Sequence, residues 1–164
     1  MIQLIRVDDR LLHAQVAYRW KGAFGYQAIV NANDNACNDE IRKQVLRAAR
    51  PQGVRITIRD LEGSVSVLND PRLKDMKVLV IVDTPLDAAY LYEHIEEKPK
   101  LNLGGVQYRE DRMQLDKSLY LSEKEINATE SMIEKGVDVS FQQVPSETPR
   151  RFEDLVLNGI LIHQ

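Results

Sequence analysis

The run Val78-Leu79-Val80-Ile81-Val82, followed at once by Asp83-Thr84-Pro85, constrains this chain more than any other stretch. In a strand, successive side chains point to opposite faces, so five aliphatic residues in a row require cover on both sides. The run is too short for a buried helix, and it ends in a helix start, with Thr84 as N-cap and Pro85 at the first position. A strand covered on both faces belongs at the centre of a parallel sheet. The rest of the sequence repeats this plan. Strand-like segments at 3–7, 28–31, 54–58, 77–82, 101–103 and 118–121 alternate with helical ones at 14–20, 39–49, 61–68, 84–95 and 122–135. Ser122 and Glu125 form a capping box, and Gly136 is a glycine stop. Ile41, Val45, Leu46 and Ala49 fall on one face of the second helix, which is expected to face the core. Residues 137–144 alternate, and an edge strand there would close the sheet. The expectation is α/β: one domain over 1–164, an open, mostly parallel twisted sheet with helices on both faces and one antiparallel edge strand. The apolar tail Ile160-Leu161-Ile162 must pack against the body or another subunit, which leaves a homo-oligomer open, and His163 reads as an unstructured end.

Composition narrows the function classes. The chain of 164 residues is 43% hydrophobic and 29% charged, as in ordinary soluble globular proteins. A net charge of −3 argues against a nucleic-acid binder, which carries a basic face. No apolar stretch approaches the length of a membrane span, and Met1 leads directly into a strand-like segment rather than a secretory leader. The single cysteine, Cys37, rules out an intramolecular disulfide and suits a reducing cytosol. One Cys and three scattered His offer no metal-ligand spacing, so no metal is expected. Gly104-Gly105 lacks the surrounding pattern of a nucleotide loop, and no cofactor is expected.

The chemistry is concentrated in Arg6-Val7-Asp8-Asp9-Arg10-Leu11-Leu12-His13-Ala14-Gln15-Val16. His13 falls between the end of the first strand and the start of the first helix, where unpaired amides attract anions. An imidazole can act as a nucleophile near neutral pH, and arginine presents a planar fork suited to phosphate oxygens. Arg10 and Arg6 are therefore candidate phosphate ligands, with Gln15 and Thr84 as further ones. Asp8 and Asp9 are candidates for orienting the arginines or the imidazole. The bland alternative is a salt-bridged loop around a satisfied histidine, and residues and spacing alone leave both open. In parallel sheets, ligands gather beyond the carboxyl ends of the strands. The clusters 8–13, 31–34 and 83–84 all fall on that edge.

This segment resembles the signature of the IIB component of the mannose–fructose–sorbose type of bacterial sugar phosphotransferase system. The resemblance continues through Asn31-Ala32-Asn33-Asp34, Asn38-Asp39, Ala49-Arg50-Pro51-Gln52-Gly53-Val54, Leu101-Asn102-Leu103-Gly104-Gly105, Glu134-Lys135-Gly136-Val137 and Gln143-Val144-Pro145. It implies a cytosolic phosphoryl carrier. His13 would take phosphate on Nδ1 from a phosphorylated IIA component and pass it to a sugar entering through the IIC and IID membrane components. The family usually has glycine after the histidine, and here that residue is Ala14. Alanine costs stability if the site needs positive φ and is harmless if it is helical. Two other readings remain: a small-molecule binding or sensing domain with no covalent step, and a hydrolase using His13 as general base. The second lacks a nucleophile or oxyanion pattern nearby.

Overall fold

A computed structural model describes residues 1–162. Its central sheet has seven strands in the order β3-β2-β4-β1-β5-β8-β9. These are β1 (Ile2–Val7), β2 (Ala28–Ala32), β3 (Arg55–Arg59), β4 (Val78–Val82), β5 (Leu101–Leu103), β8 (Val139–Phe141) and β9 (Arg150–Arg151). The intervening β6 (Arg112–Asp116) and β7 (Leu119–Ser122) form a separate antiparallel hairpin. The helices are α1 (Ala14–Phe24), α2 (Asp34–Cys37), α3 (Glu40–Ala48), α4 (Leu61–Leu68), α5 (Pro85–His94), α6 (Glu123–Glu134) and α7 (Phe152–Ile162).

β4 lies inside the sheet, fully buried and paired in parallel with both β1 and β2. Its side chains divide by parity: Val78, Val80 and Val82 enter one hydrophobic cluster, Leu79 and Ile81 the other. The first cluster packs beneath α5, α6 and α7 through Leu91, Ile126, Met132, Phe152 and Leu155. The second packs beneath α1 and α3 through Val16, Ala17, Trp20 and Leu46. β1 leads to one side of the sheet and β4 to the other, so the reversal of strand order falls between these two neighbours.

Two expectations need correction, and some elements were not expected from the sequence. Residues 137–144 do not form the edge: β8 pairs in parallel with β5, and the expected antiparallel edge strand is instead the two-residue β9 beyond it. β6 was not among the elements expected, although Arg112-Met113-Gln114-Leu115-Asp116 alternates; its Arg112 is buried in a forked ion pair with Glu125 of α6 (2.9 and 3.0 Å). On α3 only Leu46 is fully buried, whereas Ile41 is 77% and Val45 62% exposed, since α3 touches the sheet along a narrower stripe than the spacing implied. Residues 34–37, assigned to no element from the sequence, form the short α2, capped by the Asn33 side chain on the Ala36 amide. Of the apolar tail, Ile160 belongs to α7 and is half-exposed; His163 lies outside the described residues.

Candidate active site

The loop after β1 is fixed at its start by backbone bonds and further along by buried leucines. The Asp8 amide donates to Val82 O (2.9 Å) and the Asp9 amide to Gly105 O (3.0 Å), tying the loop to the ends of β4 and β5. Leu11 and Leu12 are buried, and the Leu12 amide donates to the Asn31 side chain at 3.3 Å. Leu11 has φ +58°, the only positive φ outside glycine among the described residues. A side chain in that region costs on the order of 1 kcal/mol, offset here by burial of the leucine. The strain at this rim therefore sits on Leu11. Ala14 is the first residue of α1, so alanine is well suited there.

His13 is extended (φ −141°) at the N-cap of α1, with its side chain 19% exposed. The ring remains reachable from outside. Its Nε2 lies 3.2 Å from Asp8 Oδ2. An ionised carboxylate only accepts, so in the neutral imidazole Nε2 carries the hydrogen and Nδ1 keeps its lone pair. Helices α2 to α6 each begin with a side-chain cap, whereas no side chain caps α1 and its first turn has no acid. The open amides of this turn and the positive end of its dipole lie next to the imidazole.

Asp8 is fully buried and joins the site together. Oδ2 accepts from Arg6 Nη2 at 3.2 Å as well as from His13; Oδ1 accepts from the Arg10 amide at 3.1 Å and pairs with Arg10 Nε at 3.5 Å. Burial pushes its carboxyl up, but the bond from His13, the Arg6 charge and the Arg10 amide outweigh this and leave it below the usual carboxylate range. Arg6 is also fully buried. It donates to Asn102 Oδ1, to Gln142 O (3.0 Å) and to Gln143 O (3.2 Å), and its guanidinium lies 5.2 Å from the Trp20 ring centre. A Cβ on Gly104 would overlap that guanidinium and come within 2.9 Å of Val7 O. Glycine is required there by the close approach of Arg6.

Arg6, Arg10, His13, Gln15, Val16, Gln143 and Val144 surround a small cleft of about 40 Å3. Four sequence-selected residues thus meet here, with Asp8 underneath. Arg10 is half-exposed and Gln15 exposed, so both can reach an incoming group. Arg6 backs the cleft with its Nη groups already engaged. Asp9 is not beside the imidazole: its carboxylate accepts from the Gln107 amide (2.7 Å) and fastens the loop after β5. Thr84 does not line the cleft, and its hydroxyl accepts from the Asp87 amide (3.2 Å) as the cap of α5. Sequence reasoning missed Gln143 and Asn102 as parts of the site. Both fall in segments matched to a family pattern, but nothing local signalled their role.

Comparisons with known proteins give the family of the chain. The chain matches the PTS system sorbose subfamily IIB component over residues 2–161. It belongs to that family. It is 33% identical over 146 residues to the PTS system sorbose-specific EIIB component of Klebsiella pneumoniae, covering 89% of each chain. It is 28% identical to the PTS system mannose-specific EIIAB component of Escherichia coli K12, covering 95% of this chain and 48% of that longer one. The crystal structure of the IIBSor domain of the Klebsiella pneumoniae sorbose permease superposes with a TM-score of 0.91 at 31% identity, covering 96% of both chains. The IIB fold accounts for the parallel sheet and for the hairpin outside it. As a IIB component the chain is a phosphotransferase-system domain. Among the described residues, no helix is long and apolar enough to cross a membrane.

Proposed function

We propose that His13 carries a phosphoryl group on Nδ1, received from a phosphohistidine of a IIA component and passed to a sugar moving through IIC and IID membrane components. The observation that carries this reading is the bond between His13 Nε2 and Asp8, which leaves Nδ1 as the nucleophilic nitrogen of a ring that lines the same cleft as Arg10. In the first step the Nδ1 lone pair bonds to phosphorus as the donor's N–P bond breaks. The Nε2 proton stays against Asp8, which stabilises the positive charge the ring acquires. In the second step a sugar hydroxyl oxygen bonds to phosphorus, the Nδ1–P bond breaks, and the hydroxyl proton leaves to solvent. Neutral imidazole is restored.

Arg10 and the open amides of α1 offset charge on the transferring oxygens, and such transfer depends mainly on positioning and electrostatics. Gln15 stands at the cleft mouth as a further donor. Arg6 acts through Asp8, as a positioning residue. This work requires the chain in the cytosol at the inner face of a permease, with transient partners, since one surface meets donor and acceptor in turn. The test is intact mass after incubation with a phosphorylated IIA component. One phosphate on His13, labile to acid and stable to base, is expected, and His13→Ala takes none. A chain left unmodified beside a phosphorylated donor overturns the reading.

A further inference from the structure

The helices on the two faces of the sheet differ in charge. On one face, α1, α2 and α3 hold five cations, Arg19, Lys21, Arg42, Lys43 and Arg47, against two acids, Asp34 and Glu40. Both acids are engaged: Asp34 accepts from the Leu61 amide at 2.9 Å, and Glu40 pairs with Lys43 at 3.4 Å. On the other face, α4, α5, α6 and α7 hold nine acids against one cation, Lys124. The whole chain stands at −3, so the basic layer runs against the composition. Arg19, Arg47 and the adjoining Arg50 are exposed and Arg42 is partly buried. None of these four arginines forms an ion pair among the described residues.

The same layer leaves apolar side chains in water. Ile41 and Val45, one turn apart on α3, are exposed, and so is Tyr18 on α1. A helix that shows aliphatic residues to solvent among arginines has the pattern of a segment lying on a charged lipid surface. Arginine forks suit phosphate oxygens, and the surface potential of an anionic bilayer draws basic clusters to it. Nucleic acid would answer the cations but leave Ile41 and Val45 in water. A phospholipid surface answers both, with phosphates outside and acyl chains beneath.

We infer that the face built from α1 and α3 binds reversibly to the surface of an anionic phospholipid bilayer, with Ile41 and Val45 between headgroups and Arg19, Arg42, Arg47 and Arg50 on the phosphates. The acidic helices across the sheet then face water. α1 starts directly after His13, so the helix that touches lipid carries the imidazole at its end. A chain held this way keeps His13 at a fixed height above the bilayer. That consequence for transfer rests on the carrier reading above; lipid binding itself does not.

The test is co-sedimentation of the full chain with vesicles of mixed phosphatidylglycerol and phosphatidylcholine, beside vesicles of phosphatidylcholine alone. Binding to the anionic vesicles only is expected, weakening as salt is added. Arg42→Ala combined with Arg47→Ala should weaken it about 30-fold, whereas Lys124→Ala, on the opposite layer, should leave it unchanged. Circular dichroism of these variants should match wild type. A second measurement uses Ile41→Trp, whose emission should shift to the blue when anionic vesicles are added. Equal sedimentation with both vesicles, no sedimentation, an Ile41→Trp emission that does not move, or equal losses from Lys124→Ala and the arginine pair overturns the inference. So does a face that binds duplex DNA or an acidic protein but no vesicle. Vesicle binding by a chain whose His13 takes no phosphate from a IIA component sinks the carrier reading alone, and phosphorylation without vesicle binding sinks the lipid face alone.

Discussion

Arg6 Nη2 and Asp8 Oδ2 lie 3.2 Å apart with neither side chain exposed, and the same carboxylate oxygen holds His13 Nε2. The buried arginine thus fixes the acid, and the acid fixes the ring. A strand residue and a loop residue two positions apart in sequence hold the imidazole at the edge of the sheet. Neither needs to touch phosphate to matter.

Asp8→Asn removes the charge that balances Arg6 and the acceptor that fixes the imidazole. Breaking a buried pair from one side should cost about 3 kcal/mol, measured by urea unfolding. Transfer from a phosphorylated IIA component should fall by about 10²-fold, read at a temperature where the variant is folded. Because the carboxyl titrates below its usual range, its contribution is present above the ordinary carboxylate value and is lost as pH falls through the folded one. The stability gap between wild type and variant should therefore narrow in acid.

Arg10 is half-exposed and its ion pair with Asp8 is 3.5 Å long, so its removal should cost less than about 1 kcal/mol of stability. Its effect should appear in rate. Arg10→Lys keeps the charge but loses the fork, and Arg10→Ala loses both; rapid-quench phosphotransfer should rank them wild type, Lys, Ala, with about 10²-fold between the ends. Equal rates for wild type and Arg10→Ala would remove this residue from the mechanism.

Gly104→Ala places a methyl group where the Arg6 guanidinium lies, with Val7 O 2.9 Å away on the other side. Overpacking of this kind costs about 1–3 kcal/mol. Displacing Arg6 should also loosen Asp8, so stability and phosphorylation of His13 should drop together. Gly105→Ala meets nothing nearer than 3.9 Å and should change stability far less. Similar losses from the two substitutions would show that the close approach of Arg6 is not the cause.

Asp87, at the start of α5, has its carboxyl pushed up to about 7, first by burial, then by its hydrogen bond with Asp83 and the charges of Asp83 and Asp34. A raised value in the folded state means the stability this group contributes is fully present below 3.8 and is lost as pH rises through about 7. Thermal melts should therefore show Asp87→Asn gaining on wild type between pH 4 and pH 8 and matching it in acid. Parallel melting curves across that range would refute the assignment.

Much of this molecule was readable from the chain itself. The aliphatic run of β4, the cap at Thr84, the capping box at Ser122 and the strand-to-helix position of His13 are local signals, written in residues adjacent along the backbone. They gave the parallel sheet, its central strand and the edge where chemistry gathers. Local patterns could not tell which face of α3 meets the sheet, because Ile41 and Val45 satisfy the same helical spacing as the buried Leu46. They could not assign Arg6 either. Whether that guanidinium reaches solvent or stays under the site depends on Asn102 and on the carbonyls of Gln142 and Gln143, which lie 96 to 137 positions away. The sequence alone determined most of the elements and singled out His13, because propensity, capping and periodicity act over a few residues. Only the tertiary structure decided which nitrogen of His13 is held, which arginine stays reachable and which glycine cannot change. Those outcomes depend on which distant strands become neighbours.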